Sequence, residues 1–560
     1  MFDAPWTPVD QRMPLYAADY AVFAPSPGPH ANIDVSYSGY GYGTIVPPEP
    51  PAPKSSSQSR GEVRASSGGR KSGKSKEKEQ GWEHVVVAKG GVLTVSGEET
   101  RKPTGCRTGQ LDQKTKEKAH RIRKMGACWN CWVQKVPCSE GEPCDKCSSV
   151  ARKHSLASAH QLCWRSGFKE YESTFFPEFM HAHLRKSKIE DLVSDHTAGF
   201  LDTIITVEVS AGEVFRPMRL NTNTFTPSTA ELLQQNYLLP VESHQTLQQV
   251  QMRSVPIGIM CLSPSDIKRK CKNYIEEMIS NPQYADQATA GDMSQLPKQI
   301  LKIVCAYATA QKDVSLLRNA LKLHAIHYFM SCLVTFTDRS AHDLFDELGW
   351  SATPQPYLSS RLLNRQIKYV MHKLHREITL HVLEDLERSL RSRTKDSWGP
   401  SFCTILILCL CIEHLQSAAD IMVVCDMREK GAAASYTRDQ SWNACEELEE
   451  YPFSQCKKLF HDIYRSHRDA SHGGRGEKAF NPLRMAKDGG GMGLDKTTEA
   501  MVRAVSGVVC GVWNEIVELS ERPAMINFGE HVEPNDIRAN NTGRLVANFL
   551  RSFFQRSSNV

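Results

Sequence analysis

The chain has 560 residues, of which 40% are hydrophobic and 23% charged, and its formal net charge is only +5. This length allows two or more domains with sizeable cores, and the composition leaves room for unfolded parts. The longest apolar run, FCTILILCLCI (402–412), is too short for a bilayer, which needs about 20 residues, and the first residues lack a secretory signal. We therefore expect no membrane span and a reducing compartment, where disulfides are rare.

Residues 1–80 are rich in Pro, Gly, Ser and Tyr and poor in large aliphatic side chains. So little apolar burial cannot offset the chain entropy lost on folding, and the sequence predicts a disordered N-terminal region that becomes basic towards its end. Residues 81–113 read as a linker, in which GWEHVVVAKGGVLTVSG would form a small hairpin with Gly90 and Gly91 at its turn.

A basic arm, residues 114–127, follows this linker. Within it, KTKEKAHRIRK carries six basic side chains and one Glu. The basic residues are Lys114, Lys116, Lys118, Arg121, Arg123 and Lys124. A cationic segment beside a metal module is a common arrangement for contacting nucleic-acid phosphates, although a solvated linker or a nuclear-import signal has the same composition.

Six cysteines follow in the stretch that begins CWNCWVQKVPCSEGEPCDKC. They are Cys128, Cys131, Cys138, Cys144, Cys147 and Cys163. Two C-x-x-C pairs stand among them, and this spacing lets both sulfurs reach one ion at about 2.3 Å, with zinc the default metal. Two separate tetrahedral sites need eight thiolates, so six are enough for two zinc ions if two sulfurs are shared.

Other uses of these cysteines stay open. One zinc ion held by Cys128, Cys131, Cys144 and Cys147 would make a ribbon-like site and leave Cys138 and Cys163 as bystanders. His154 or His160 could replace Cys163 as a ligand, with His160 the better candidate. A thioredoxin-like redox pair is disfavoured because no βαβ pattern surrounds the C-x-x-C pairs.

The first five cysteines have the spacing of the fungal-type binuclear zinc cluster, a DNA-binding domain of transcription factors, and residues 128–170 resemble that domain. The resemblance implies that Cys128 and Cys144 bridge two zinc ions and that Lys135, four residues after the second cysteine, contacts bases in the major groove. Pro143 matches the loop that joins the two halves. The last gap departs from the family pattern, with 15 residues where six to eight are usual.

The module differs from its relatives in charge as well. Trp132 and Pro137 stand where basic residues are common, and Cys128 to Cys163 contain four Lys/Arg against three acidic residues. Phosphate neutralisation supplies much of the affinity for DNA. The basic arm would therefore contact the phosphates and Lys135 would read bases. Trp129 and Trp132 would pack as a small apolar lid or, alternatively, stack on a base.

Residues 171–264 form a mixed region with β-prone alternation in LDTIITVEVSAGEVFRPMRL (201–220), and 265–560 read as an α-helical domain with a Gly-rich loop at 471–495. One helical stripe consists of Leu363, Ile367, Val370, Leu374, Ile378, Val382 and Leu386. Residues 401–424 are apolar nearly all round and predict a central helix. Two further helices are predicted at 497–521 and 541–555, the second with an apolar face that would dock on the body or, alternatively, on a partner.

The remaining chemistry-bearing residues give weaker signals. Cys409 and Cys411 read as buried small hydrophobes. His372 and His375, three apart on a helix, read as surface or rim residues, because no third ligand is placed near them. No catalytic constellation is evident, so we expect no enzyme activity.

The sequence thus predicts a small zinc-stabilised module with a disordered N-terminal region, followed by a mainly α-helical domain. The expected function is that of a nuclear, sequence-specific regulator of RNA polymerase II genes that binds double-stranded DNA, with transcriptional co-regulators as further partners. The alternative is a zinc-stabilised protein-interaction module without DNA specificity. No heptad run follows Cys163, so a dimer is not specified.

Overall fold

The computed structural model of the protein describes residues 112–153, 159–240, 247–260, 264–311, 314–350, 358–465, 480–526 and 532–555. The predicted disorder of residues 1–80 and the predicted hairpin at 81–97 lie outside these ranges. Within them, a cysteine-rich module is followed by a mainly helical domain, which confirms the predicted order.

The cysteine-rich module consists of short helices. They are α1 (Gln113–Met125), α2 (Trp129–Val133), α3 (Asp145–Lys153) and α4 (Ala159–Leu162). The chain then passes through a 3₁₀ segment, Phe168–Phe175, whose Phe168 and Phe175 are fully buried. The module therefore runs into the helical body through residues that belong to the body's core.

A small sheet precedes the main helices. After α5 (Glu178–His181) and α6 (Lys186–His196), β1 (Thr197–Ser210) and β2 (Met218–Pro227) pair antiparallel. The remaining strands are β3 (Gln234–Pro240), β4 (Leu247–Arg253), β5 (Ile257–Gly258) and β6 (Thr335–Phe336). One sheet has the order β5-β2-β1-β6, and β3 pairs with β4 in a separate hairpin. The β-prone alternation read from the sequence thus falls on β1 and β2.

The helical body contains most of the remaining residues. Its helices are α7 (Pro264–Ser280), α8 (Tyr284–Ala288), α9 (Leu296–Ala310), α10 (Ser315–Ser331), α11 (Asp338–Glu347), α12 (Arg361–Ser392), α13 (Trp398–Lys430), α14 (Arg438–Leu448), α15 (Ser454–Arg465), α16 (Pro482–Lys487), α17 (Lys496–Gly511), α18 (Trp513–Glu521), α19 (Pro534–Asn541) and α20 (Arg544–Arg551). The predicted helix at 497–521 is two helices bent by 80°. Part of the Gly-rich segment is ordered as α16, whose Leu483 is fully buried.

The core is built around α12 and α13, with α10 packed on both. Every member of the predicted stripe on α12 is buried, and so are Cys409 and Cys411 on α13. The continuous helical stretch Trp398–Ala433, which contains α13, is long and apolar enough to span a membrane. The bent pair α17 and α18 would also be long and apolar enough if it formed a single span. However, 94% of the apolar window of Trp398–Ala433 is buried inside the protein. An all-round apolar surface is what a helix in the middle of a large core requires.

The C-terminal helix α20 docks on the body, as its apolar face predicted. Leu545, Phe549 and Leu550 are fully buried. The Glu413 carboxylate of α13 accepts hydrogen bonds from the backbone amides of Gly543, Leu545 and Val546 at the start of α20. This buried carboxyl therefore satisfies amides that have no partner within the helix.

The prediction that His375 is a surface or rim residue was wrong, whereas His372 is half-buried. His375 is only 3% exposed, and its Nε2 lies 2.8 Å from Nε2 of His327 on α10. The His372 ring stacks on His181 with centroids 4.8 Å apart. The reason is that α12 is covered on more than one side, by α10 and by the 3₁₀ segment, so positions beside its apolar stripe are enclosed as well.

Candidate metal centre and nucleic-acid interface

Each C-x-x-C pair straddles the start of a short helix. Cys128 is the N-cap of α2, and its Sγ accepts a hydrogen bond from the backbone amide of Cys131 at 3.4 Å. The second pair repeats this geometry, since Sγ of Cys144 accepts from the amide of Cys147, also at 3.4 Å. Free amides at a helix start favour negative charge, so each of these two hydrogen bonds favours the thiolate form of the cysteine that accepts it.

The six sulfurs form two groups of four, and within each group all sulfurs lie within 4.8 Å of one another. One group is Cys128, Cys144, Cys147 and Cys163; the other is Cys128, Cys131, Cys138 and Cys144. The distances from Sγ of Cys128 to Sγ of Cys144 and Cys147 are 3.9 and 3.6 Å. Four sulfurs at about 2.3 Å from a tetrahedral zinc ion lie about 3.8 Å apart, so this donor set fits zinc.

The long last gap does not remove Cys163 from the cluster. Helix α3 and helix α4 take up much of the intervening chain, and Sγ of Cys163 accepts a hydrogen bond from the backbone amide of Cys144 at 3.1 Å. Among the described residues, only cysteines form these groups. His160 is exposed and stands outside both groups, whereas His154 lies outside the described residues.

Two polar neighbours of the sulfurs were missed by sequence reasoning. Asn130 Nδ2 donates to Sγ of Cys147 at 3.3 Å. The Arg165 guanidinium donates to Sγ of Cys138 at 3.6 Å and to the carbonyls of Ser139 and Gly141 at 2.6 and 3.0 Å. A cation beside a thiolate-rich centre offsets its negative charge. An arginine two residues after the last cysteine is too common a feature for the sequence alone to single out.

The pKa values of the thiols also indicate a bound cation. Burial raises the pKa of the Cys128 and Cys131 thiols, and it raises that of Cys163 to about 11. Burial also acts to raise the pKa of Cys144, but hydrogen bonds from the Cys147 amide and from neighbouring thiols outweigh it and lower this pKa to about 6. Thiols packed this closely cannot all ionise by themselves, so a bound metal ion is what would hold them as thiolates.

The predicted basic arm is the helix α1, whose six cationic side chains are all exposed. Nε of Arg121 lies 2.7 Å from Oε1 of Glu140, in the loop between the two C-x-x-C pairs. This ion pair connects the arm to the cysteine cluster. The other predicted arm residues are Lys114, Lys116, Lys118, Arg123 and Lys124.

Lys135 lies two residues after the end of α2, next to the C-cap residue Gln134, and is exposed. Its backbone is left-handed, with a φ of 53°, and its amide donates to the carbonyl of Trp132 at 3.3 Å. This conformation ends the helix and carries the lysine beyond its last turn.

Trp129 and Trp132 pack as predicted, but against the helical body. Trp129 is 2% exposed and stacks on Trp164 at a centroid distance of 5.6 Å. The Trp132 ring lies under the guanidinium of Arg393, which is 3.7 Å from the ring centroid. The buried Trp129 ring is therefore closed to stacking on bases, and one face of Trp132 is covered by Arg393.

The helical body can be compared with known families independently of the cysteines. A family model of the KpeA transcription factor matches residues 175–478, more than half of the chain. The chain belongs to the KpeA transcription factor family. The KpeA match begins after Cys163, so the family assignment and the geometry of the cysteines are separate observations, and the chain is a transcription regulator by family. No curated protein and no solved structure matches it.

Proposed function

We propose that the chain is a nuclear, sequence-specific DNA-binding transcription regulator whose cysteine module holds two zinc ions. The observation that carries the proposal is that Cys128 and Cys144 belong to both groups of four sulfurs. Six thiolates complete two tetrahedral sites only if two of them are shared. Membership of the KpeA family supports the regulatory role.

Each part of the module then has a distinct role in DNA binding. Zinc holds α2 and α3 in place, since so small a module cannot bury a sufficient core. Lys135 reaches guanine O6 and N7 in the major groove, and α1 grips the phosphates. The helical body would contact transcriptional co-regulators.

The proposal is tested by selecting bound duplexes from a random pool with the zinc-loaded full chain. We expect enrichment of a defined sequence and binding that weakens steeply as salt is raised. Binding without enrichment would contradict the proposal and favour a zinc-stabilised protein-interaction module. The nearly balanced charge between Cys128 and Cys163, four basic against three acidic residues, is the observation that favours this second function.

Lys135→Ala should relax sequence discrimination. A good base contact contributes about 1–3 kcal/mol of discrimination, so we expect the preference for the selected duplex over a scrambled one to fall about tenfold. Zinc content should not change, because the exposed Lys135 side chain is no metal ligand. The measurement is a pair of binding titrations, with Lys169→Ala, an exposed lysine outside the cluster, as the charge-matched control.

Replacing the arm cations Lys116, Lys118 and Arg123 by Gln should act differently. Each lost phosphate contact reduces the slope of log affinity against log salt by about 0.9, so the triple variant should lose up to about 2.7 in slope. The preferred sequence should stay the same, because phosphate contacts carry no base information. A changed sequence preference with an unchanged slope would assign the base reading to α1 instead. Arg121 is kept, since it pairs with Glu140.

A further inference from the structure

The cysteine module packs directly against the helical body, with no linker between them. Trp164, one residue after Cys163, stacks on Phe168 with ring centroids 5.6 Å apart and nearly parallel planes, 7° from each other. The Trp129 ring nitrogen donates to the carbonyl of Ser166 at 3.1 Å. The backbone amide of Phe168 in turn donates to Glu387 of α12 at 2.8 Å. The first residues after the cluster are therefore already part of the body.

The end of α12 supplies two arginines to this junction. The Arg391 guanidinium lies 3.9 Å from the centroid of the Trp129 ring and pairs with Glu387 at 2.8 Å. Arg393 covers Trp132 in the same way, at 3.7 Å. Arginine over a tryptophan face is the favourable cation–π arrangement, and it joins two segments that are far apart in sequence.

Arg393 also binds the C-terminal turn of α2. Its guanidinium donates to the carbonyl of Trp132 and, at 3.3 Å, to that of Val133. These are carbonyls of the last turn of α2, where a positive charge is favoured. Arg393 itself has a left-handed backbone with a φ of 53° at the C-cap of α12, a conformation that normally favours glycine. A residue other than glycine carries a backbone strain cost in this conformation, and the contacts of the Arg393 side chain with α2 oppose that cost.

One oxygen atom links Arg393 to Lys135. The Trp132 carbonyl accepts a hydrogen bond from the Arg393 guanidinium and also one from the backbone amide of Lys135, at 3.3 Å. That second bond belongs to the turn in which Lys135 takes up its left-handed conformation. The body therefore fixes the peptide group that sets the direction in which Lys135 leaves α2.

We propose that Arg393 is a positioning residue for DNA reading: through the Trp132 carbonyl, it orients Lys135, so that base recognition requires the helical body as well as the zinc module. This inference rests on the proposed function. It assigns Arg393 an indirect role, with Lys135 making the base contact.

The test uses the full zinc-loaded chain, its selected duplex and a scrambled duplex. Arg393→Gly removes the guanidinium and keeps a residue that adopts the left-handed backbone without strain. We expect its preference for the selected duplex to fall about tenfold, with two zinc ions retained and salt-dependent binding to the scrambled duplex little changed. Arg388→Ala is the matched control, because Arg388 lies on the same helix, pairs with Asp385 and is 75% exposed.

A double variant separates positioning from a general loss of charge or fold. If Arg393 acts through Lys135, then Lys135→Ala with Arg393→Gly should lose no more preference than Lys135→Ala alone. Additive losses would overturn the proposal, and so would an unchanged or tighter preference in Arg393→Gly. If Arg393→Gly loses zinc, Arg393→Met, which keeps an unbranched side chain but cannot donate to the Trp132 carbonyl, becomes the deciding variant, and full preference there would overturn the proposal. A wild-type chain without any sequence preference would instead refute the proposed function itself.

Discussion

Cys144→Ser should reduce the zinc content of the full chain from two ions to none. Cys144 belongs to both groups of four sulfurs, so its loss leaves three thiolates on each side and breaks both sites. Structural zinc sites contribute apparent free energies on the order of 10–16 kcal/mol, which is more than a small module can replace by packing. Helices α2 and α3, which begin at the two C-x-x-C pairs, should lose their order while the helical body stays folded.

The unshared cysteines should behave differently. Cys163→Ser and Cys138→Ser each affect one group only, so each variant should keep one zinc ion. The measurement is metal content per chain together with DNA binding. Cys510→Ser, an exposed cysteine of α17 outside the cluster, is the control and should retain two ions. One ion in the wild type, unaffected by Cys163→Ser and Cys138→Ser, would establish the ribbon-like site with four ligands and contradict the shared-sulfur arrangement.

Acid should unfold the helical body well before most of its carboxylates are protonated. Burial lowers the pKa of eight histidines in the described part of the chain from the usual 6.5, to about 3 for His327 and to about 4 for His414. The eight are His181, His183, His324, His327, His372, His375, His414 and His461. They stay neutral in the folded protein, whereas the same residues take up protons in the unfolded chain as the pH falls below 6.5.

The sign of the effect follows from this difference. The unfolded state binds more protons below pH 6.5, so the free energy of unfolding falls as the pH drops from 6.5 towards the folded pKa values near 3–4. Four carboxyls oppose it, because burial raises the pKa of Asp292 to about 7, of Glu413 to about 8 and of Asp420 to about 6, and also raises that of Asp462. These carboxyls lower the free energy of unfolding as the pH rises through the same window, so they offset part of the histidine effect as the pH falls. The histidines outnumber them.

We expect a net loss on the order of 5–10 kcal/mol between pH 6.5 and 5, since the histidines exceed the opposing carboxyls by four and each such group contributes up to about 1.4 kcal/mol per pH unit. This is comparable to the whole stability of a typical domain. Chemical denaturation across this range measures the slope, and zinc content is followed in parallel to separate loss of metal from loss of the body. A flat stability profile from pH 7 to 5 would rule out the buried neutral histidines.

The pair His327 and His375 offers a specific variant. Replacing both by Gln should remove about two protons from the uptake that accompanies unfolding at pH 5. Calorimetry in buffers of different ionisation enthalpy measures that number directly, whatever the stability of the variant. His342→Gln, an exposed position on α11, provides the control.

The local features of the chain were predictable because short-range spacing encodes them. The cysteine gaps predicted a thiolate cluster, and the structure brings all six sulfurs together. The stripe from Leu363 to Leu386 predicted α12, and the apolar run at 401–424 predicted the buried α13, since helical periodicity directly reflects which side faces the core. The apolar face at Leu545 and Phe549 predicted docking of α20 for the same reason.

Other features depended on contacts between distant parts of the chain. Nothing near His375 in sequence indicates that His327, 48 residues earlier, will enclose it. In the sequence, Glu413 is a polar residue within an apolar helix and has no evident partner. In the structure, its carboxyl group accepts a hydrogen bond from the start of α20, 130 residues later in the chain. Periodicity reports the composition of one element, whereas burial of a polar residue depends on which second element covers it.

By itself, the sequence determined that six thiolates cluster, that a basic segment precedes them and that a helical body follows. Only the tertiary structure decided that Cys163 closes the cluster despite its long gap and that Trp129 and Trp132 face the body. It alone brought Arg393 to the Trp132 carbonyl, 261 residues away. The physical reason is that the spacing of side chains determines which groups one helix or turn exposes on each face. The residues that pack against those groups belong to distant segments, and no local sequence pattern specifies which segments come together.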